Sequence, residues 1–265
     1  MDGVTDQSIH LVVTSPPYPM ISIWDEAFQQ AEARTYDQMH DYLGDVWKEV
    51  GRVLVPGGIA CVNIGDATRS VDGIFRVYPN HSRVIEWFQR EGFVTLPYIL
   101  WKKPTTKPSY KGRGAFLGSG FLPPNAYVTL DMEYILIFRK GPPRRFEPKD
   151  PDRYRSRFTK TERDKWFSQV WNISGARQNL DGYGRRTAAF PEEVPRRLIR
   201  MFSIIGDTVL DPFLGTGTTA KAAFESGRHF VGYEKSEELL SLIQSRLSGL
   251  PARFEKQEPD TNKGS

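Results

Sequence analysis

The 265-residue chain carries a single cysteine, Cys61, and no long apolar run. One cysteine excludes an internal disulfide and a thiolate metal cluster, so no metal is expected and the reducing cytoplasm is the expected compartment. Cys61 itself lies in an apolar run and reads as core. No stretch reaches the roughly 18 apolar residues of a membrane span, and the polar start from Met1 to His10 lacks the pattern of a secretion signal. Internal repeats are absent too, which removes repeat arrays from consideration.

What is present is a globular profile, 39% hydrophobic, 12% aromatic and 26% charged, with a net charge of +4. The length suits one α/β core with room for an inserted recognition region, and is short for two large domains. Ile9–Thr14 is a β-branched run stopped by Ser15-Pro16-Pro17, the pattern of a buried parallel strand ending in a loop. Met39, Leu43, Val46, Trp47, Val50 and Leu54 recur at helical spacing, and Pro56-Gly57-Gly58 is expected to close that helix before a strand at Ile59–Ile64. A short helix at Arg83–Arg90 follows, then strands at Val94–Trp101, interrupted by Pro97, and at Glu133–Phe138. Periodicity fades from Gly141 to Arg186. Order resumes with a helix opened by Pro191-Glu192-Glu193, a strand at Thr208–Asp211, a helix from about Thr216, a strand at Phe230–Glu234 and a helix through Leu239, Leu242, Ile243 and Leu247. Six alternating strands predict a doubly wound, mostly parallel α/β sheet, with ligands at the C-terminal strand ends. The expected division is a catalytic half at 1–140, a recognition region at 141–186 together with the loop 104–131, the other catalytic half at 187–250, and a polar tail at 251–265.

Asp211-Pro212-Phe213-Leu214-Gly215-Thr216-Gly217-Thr218-Thr219 follows a strand and opens a helix. Gly215 and Gly217 allow close backbone approach, and the free amides of a helix N-terminus can face a carboxylate or phosphate. Some twenty residues past Gly215, Glu234 ends the next strand, where a carboxylate can accept hydrogen bonds from ribose hydroxyls. The segment Gly215 to Ala220 also fits a dinucleotide fingerprint, and a purely structural turn is a third reading. The acid Asp211 beside the loop favours the α-ammonium group of a methionine moiety over a pyrophosphate, which it would repel.

Thr14-Ser15-Pro16-Pro17-Tyr18 ends a different strand of the same sheet. The lone pair of a nucleobase amino group is delocalised into its ring, so methylation benefits from acceptors that take its N–H hydrogens as positive charge develops. Ser15 Oγ and the Pro16 carbonyl are such acceptors, Pro17 helps hold that carbonyl in an extended geometry, and Tyr18 offers a face on which a flipped base can stack. Taken alone, the segment could equally be a rigid loop with a packed tyrosine. Two loops at one edge of a parallel sheet let methyl donor and acceptor meet.

With both loops in view, the chain resembles the β-class amino-methyltransferases of bacterial and archaeal restriction-modification systems. The segments that carry the resemblance are Thr14–Tyr18, Pro56–Asp66, Ile99–Pro104, Thr187–Ile199, Asp207–Arg228 and Val231–Glu234. The resemblance implies a Rossmann-like fold with the reaction loop preceding the cofactor loop, and S-adenosylmethionine (AdoMet) as cofactor. It implies DNA as partner, base flipping as the route to the target, and leaves a homodimer open. Asp211, Phe213, Gly215, Gly217, Thr218 and Thr219 would surround the methionine half of AdoMet, with Ala188 and Phe190 closing over it and Glu234 on the ribose. Asn63 and Asp66 stand where similar enzymes carry polar residues near the target base, although a capped strand end explains them as well. A serine-led loop leans toward N4 of cytosine, with N6 of adenine the alternative. In place of the family's usual His-Pro-Ala stands Arg186-Thr187-Ala188, and the strand that relatives carry upstream would fall before Met1, leaving six strands where the family has seven.

Between Arg139 and Lys165, Lys and Arg outnumber Asp and Glu by eleven to five, with Tyr154, Phe158 and Trp166 interleaved. This is the composition of a phosphate-tracking surface, in which Arg153, Arg155 and Arg157 would contact DNA, with Lys102 in a second basic loop that runs from Lys102 to Arg113. Gln178, Asn179 and nearby Arg177, Arg185 and Arg186 could read base edges in the major groove. An ordinary solvated face is the competing reading.

Overall fold

The computed structural model describes residues 1, 3–103, 128, 130–176 and 189–256. In chain order they form β1 (Ile9–Thr14), α1 (Asp25–Gln30), α2 (Tyr36–Val53), β2 (Leu54–Ile64), β3 (Ala67–Val71), β4 (Ile74–Tyr78), α3 (Asn80–Arg90), β5 (Val94–Lys102) and β6 (Met132–Arg139). There follow α4 (Pro151–Arg155), α5 (Lys160–Trp166), β7 (Val170–Asn172), α6 (Glu193–Phe202), β8 (Thr208–Asp211), α7 (Thr218–Glu225), β9 (His229–Gly232) and α8 (Leu240–Arg246).

Seven strands make one sheet in the order β7-β5-β6-β2-β1-β8-β9, and only β6 runs antiparallel to its neighbours. Alternate side chains feed two cores. Leu11, Val13, Cys61, Ile135 and Ile137 point to one face and pack with Val194, Leu198 and Ile199 of α6 and Ala222 and Ala223 of α7. Val12, Ala60, Val62, Leu136 and Phe138 point to the other, against Leu43, Trp47 and Val50 of α2 and Val84 and Phe88 of α3. Such two-sided burial is what continuous apolar strands require, and it gives the doubly wound sheet predicted from the sequence.

Helix α2 begins at a capping box in which Thr35 and Gln38 satisfy each other's backbone amides, and it buries Leu43, Trp47, Val50 and Val53 on one stripe. It stops at Val53, and Pro56-Gly57-Gly58 lies inside β2 rather than closing the helix. There the register against β1 jumps from Ile9↔Leu54 to Leu11↔Ile59, and the Gly57 amide donates to the Lys140 carbonyl. The turn residues thus make a bulge in a strand whose ladder resumes beyond them. Pro97 acts similarly in β5, where the pairing with β6 shifts between Leu96 and Ile99.

The sequence predicts six strands; the sheet has a seventh, β7, in the stretch where periodicity fades. Three residues are too few to display alternation. What fixes β7 is Trp171, which pairs with Trp101 of β5, is buried, and donates its indole N–H to the Trp166 carbonyl at 2.9 Å. A second unpredicted feature is the hairpin β3–β4, turned at Asp72-Gly73, both at positive φ.

Candidate active site at two adjacent strand ends

β1 and β8 are parallel neighbours, with Leu11 opposite Val209 and Val12 opposite Leu210. From β1 the chain crosses by α2 to β2 on one side; from β8 it crosses by α7 to β9 on the other. The crevice outside these two C-terminal ends is therefore the switch point at which open α/β sheets bind ligands. One carboxylate joins the two ends. Asp211 Oδ1 accepts hydrogen bonds from Thr14 Oγ1 at 2.6 Å and the Phe213 amide at 3.1 Å, and Oδ2 accepts one from Thr219 Oγ1 at 2.6 Å. Asp211 is 1% exposed, and burial raises its pKa from 3.8 to about 6 against the opposing pull of those bonds. The sequence reading turns this acid toward a ligand's ammonium group; in the fold both oxygens are engaged inside the protein.

The reaction loop rests on groups that are remote in sequence. Ser15 Oγ lies 3.1 Å from Tyr18 Oη, and Tyr18 donates to Glu133 Oε2 at 2.9 Å. Asn63 Nδ2 donates to Tyr18 Oη at 2.7 Å and to Glu133 Oε2 at 2.8 Å. Lys103 pairs with the other oxygen of Glu133 and sits over the Trp101 ring. Burial, then the charge of Glu133, raises the Tyr18 pKa well above that of a free phenol, so the hydroxyl keeps its proton. Gly65 makes room for this arrangement, since a Cβ there would stand 3.1 Å from the Tyr18 ring and 3.2 Å from Glu133 Cγ. Tyr18, read from sequence as a stacking face, is thus also tethered by its hydroxyl. Pro16 is buried and Pro17 half-buried. Asn63 is buried within the cluster and its Oδ1 has no hydrogen-bond partner.

In the cofactor loop the two glycines occupy left-handed backbone, Gly215 at φ +55° and Gly217 at φ +80°, with Gly217 capping α7. The Leu214 amide donates to the Tyr233 carbonyl and the Tyr233 amide to the Asp211 carbonyl, which ties the loop to the end of β9. Glu234 Oε2 accepts from the Gly215 amide and Oε1 from the Ser236 amide, each at 2.7 Å. The residue is exposed overall, yet its carboxylate turns inward, and loss of water raises its pKa. Thr218 and Thr219 are buried, and Arg246 of α8 donates to the hydroxyls of Thr216 and Thr218. Phe213 packs edge-on against Trp47, whereas Phe190 is buried in the α6-side core. Ala188 lies outside the described residues. The loop fits AdoMet on two counts: the backbone at Gly215 is open, with no atom nearer than 3.9 Å to a notional Cβ, and a carboxylate suited to a ribose diol stands beside it.

Other expected residues are placed differently. Asp66 accepts from the His81 amide and from His81 Nδ1 at 2.8 Å, and His81 stacks on Tyr134, so Asp66 fastens the start of α3. Arg153, Arg155 and Arg157 are exposed on and just after α4, far along the chain from Lys102, which lies 3.9 Å from Asp131. Arg155 pairs with Asp152. Arg153 lies over the Phe146 ring. Not every cation of this stretch faces solvent, because Arg144 makes a two-pronged pair with Asp207. Of the interleaved aromatics, Trp166 is 2% exposed and belongs to the interior, while Tyr154 is 60% exposed. Arg177 and Arg185, with Gln178, Asn179 and Arg186, lie outside the described residues. Sequence reasoning does not single out Glu133 or Arg246 and takes Lys103 only as part of a basic segment; the local signal for Glu133 is an acid at the head of an otherwise apolar strand, before Tyr134–Phe138. Among the described residues, no group of three His, Cys, Asp or Glu is placed to hold a metal ion, and no helix is long and apolar enough to cross a membrane.

Comparison with known proteins agrees with this geometry. A family model described as DNA methylase, of the N6/N4 type, matches residues 9–245. The type II methyltransferase M.MjaI of Methanocaldococcus jannaschii is 60% identical over 270 residues, covering 93% of this chain and 88% of its own. M.MthZI of Methanothermobacter thermautotrophicus is 47% identical, covering 94% and 74%. The putative DNA modification methylase TTHA0409 of Thermus thermophilus, solved in complex with S-adenosyl-L-methionine, superposes with a TM-score of 0.72 at 34% identity over 92% of this chain and 87% of that one. The cytosine-N4-specific PvuII DNA methyltransferase shares the fold, with a TM-score of 0.69 at 21% identity over 95% and 84%. With a mostly parallel sheet, two loops braced at its switch point and relatives matched along nearly the whole chain, this protein belongs to the N6/N4 family of AdoMet-dependent DNA methylases.

Proposed function

We propose that the chain methylates N4 of cytosine within a specific DNA sequence, working on a base flipped from the duplex in the cytoplasm. The observation that carries this reading is Ser15 itself: a neutral hydroxyl, not a carboxylate, leads the reaction loop at the strand end braced to the cofactor loop through Thr14 and Asp211. Ser15 Oγ and the Pro16 carbonyl would accept the two amino hydrogens, drawing electron density toward nitrogen as it forms its new bond. The Tyr18 ring would support the flipped base while its hydroxyl stays anchored to Glu133.

AdoMet, when bound, supplies an electrophilic methyl group on its sulfonium centre. In this reading Glu234 accepts the ribose hydroxyls, while Phe213, Gly215, Gly217, Thr218 and Thr219 line the methionine half. Asp211 keeps the two loops in register from below. Ala188 and Phe190 would close the far side, Phe190 from its place in the core. Residues 1–140 and 187–250 act as two halves of one catalytic domain, with 104–131 and 141–186 as the recognition region; within the latter, β7 pairs with β5 of the sheet. Arg153, Arg155, Arg157 and Lys102 would contact phosphates, with Arg177 and Arg185 toward the bases.

The test is chemical. Duplex DNA incubated with the protein and labelled AdoMet, then hydrolysed to nucleosides, should yield N4-methylcytosine. Finding N6-methyladenine alone would replace the cytosine assignment and keep the amino-group mechanism.

A further inference from the structure

We propose that Glu133 is a positioning residue for methyl transfer: acting through Tyr18, it fixes the direction of the Ser15 hydroxyl so that the serine oxygen faces the reacting amino group as an acceptor. This rests on the reading of Ser15 as an acceptor for that group.

A serine hydroxyl is both donor and acceptor and rotates freely. Left to itself, Ser15 could aim its hydrogen at the incoming amino group, whose own two hydrogens would meet it head-on. The hydrogen-bond count removes that freedom. Glu133 is held as an ion pair with Lys103, and a carboxylate only accepts, so the Tyr18 proton goes to Glu133 Oε2 at 2.9 Å. Asn63 gives its amide hydrogens to the Tyr18 oxygen at 2.7 Å and Glu133 Oε2 at 2.8 Å. One acceptor position remains on Tyr18, and Ser15 Oγ lies 3.1 Å from it. With its only hydrogen directed there, Ser15 presents lone pairs to a ligand. The contact from Asn63 to Ser15 is long at 3.5 Å and leaves that oxygen largely free.

Packing alone is a poor account of this cluster. An ion pair whose carboxylate is largely withdrawn from water brings no assured stability, and the Asn63 Oδ1 atom is buried without a partner, a cost that natural interiors usually avoid. Both features sit at the C-terminal edge of the sheet, beside the loop that leads with Ser15.

A double-mutant cycle separates positioning from packing, because residues that act through one another are not additive. Glu133→Gln keeps the shape but can donate to the Tyr18 oxygen, which frees the Tyr18 proton to occupy Ser15. Tyr18→Phe removes the intermediary. Single-turnover methyl transfer, at saturating AdoMet and duplex DNA and read as total methylated nucleoside, should slow about tenfold or more in each single variant, the value of one misdirected hydrogen bond. The double variant should be no slower than the slower single one, and AdoMet affinity by calorimetry should stay within about twofold throughout. Wild-type rates in Glu133→Gln, or effects that multiply in the double variant, would overturn the proposal. If Glu133→Gln fails to fold, Glu133→Asp takes its place in the same cycle. Nucleoside identity is scored separately, so N6-methyladenine with a non-additive cycle would revise the target base and leave the role of Glu133 standing.

Discussion

At the end of β8 the chain holds itself together with its own backbone: two glycines in left-handed conformation, an amide on Glu234 nineteen residues on, and a helix that starts at Thr218. At the end of β1 the loop is held by side chains from elsewhere, Asn63 from β2, Glu133 from β6 and Lys103 just after β5. The first design suits a site that must present backbone to a cofactor. The second suits the proposed role of this loop, holding a few polar atoms in one orientation around an acceptor nitrogen, which rigid strands do better than loops. Asp211 belongs to both, through Thr14 on one side and Thr219 on the other.

Removing that shared brace should have the largest effect. Asp211→Ala strands three donors, two buried and one partly buried, and at about 1–3 kcal/mol each the loss of stability should reach about 3 kcal/mol or more in urea unfolding. A loss below about 1 kcal/mol would mean that the two ends are independent. The same residue gives a pH signature. With its folded pKa raised to about 6, Asp211 keeps a proton that the unfolded chain releases near pH 4. Its contribution is therefore greatest at low pH, falls by on the order of 2 kcal/mol as pH rises from about 4 to about 6, and is flat above. The difference in unfolding free energy between wild type and Asp211→Asn should trace that fall, and a difference that grows in favour of wild type with rising pH would reverse the assignment.

Next comes the cofactor side alone. Glu234→Gln should weaken AdoMet binding by about 1–3 kcal/mol in calorimetry, the cost of losing charge-assisted hydrogen bonds, with the thermal midpoint nearly unchanged. Unaltered affinity would move the ribose site elsewhere. On the reaction side, Ser15→Ala should lower single-turnover methylation about tenfold and leave AdoMet affinity intact; a variant that instead loses cofactor would erase the division between the two strand ends. The smallest effect on either loop belongs to a third surface. Neutralising Arg153, Arg155 and Arg157 should flatten the salt dependence of DNA binding by up to ~0.9 log unit per lost phosphate contact while AdoMet affinity holds, and an unchanged slope would mark them as solvated surface.

Sequence alone determined what local pattern can carry. The strands Ile9–Thr14 and Thr208–Asp211 have the predicted bounds, because continuous β-branched and apolar runs admit burial on both faces and are cut by proline at the next or next-but-one residue. The loop glycines were legible because only glycine takes left-handed backbone without strain. Other local signals mislead or are absent: Pro56-Gly57-Gly58 looks like a helix stop and is a bulge, and β7 is too short to show a period. Tertiary structure decided the rest. Glu133 reaches Tyr18 across 115 residues and Asn63 across 70, and Arg246 reaches the cofactor loop from α8. No spacing rule links such positions, since they meet only when β6 is inserted antiparallel beside β2 and α8 folds back over α7. The fold class and the two loops are written along the chain, while the orientation of the polar atoms around Ser15 and Tyr18 is set by which strands the sheet makes neighbours.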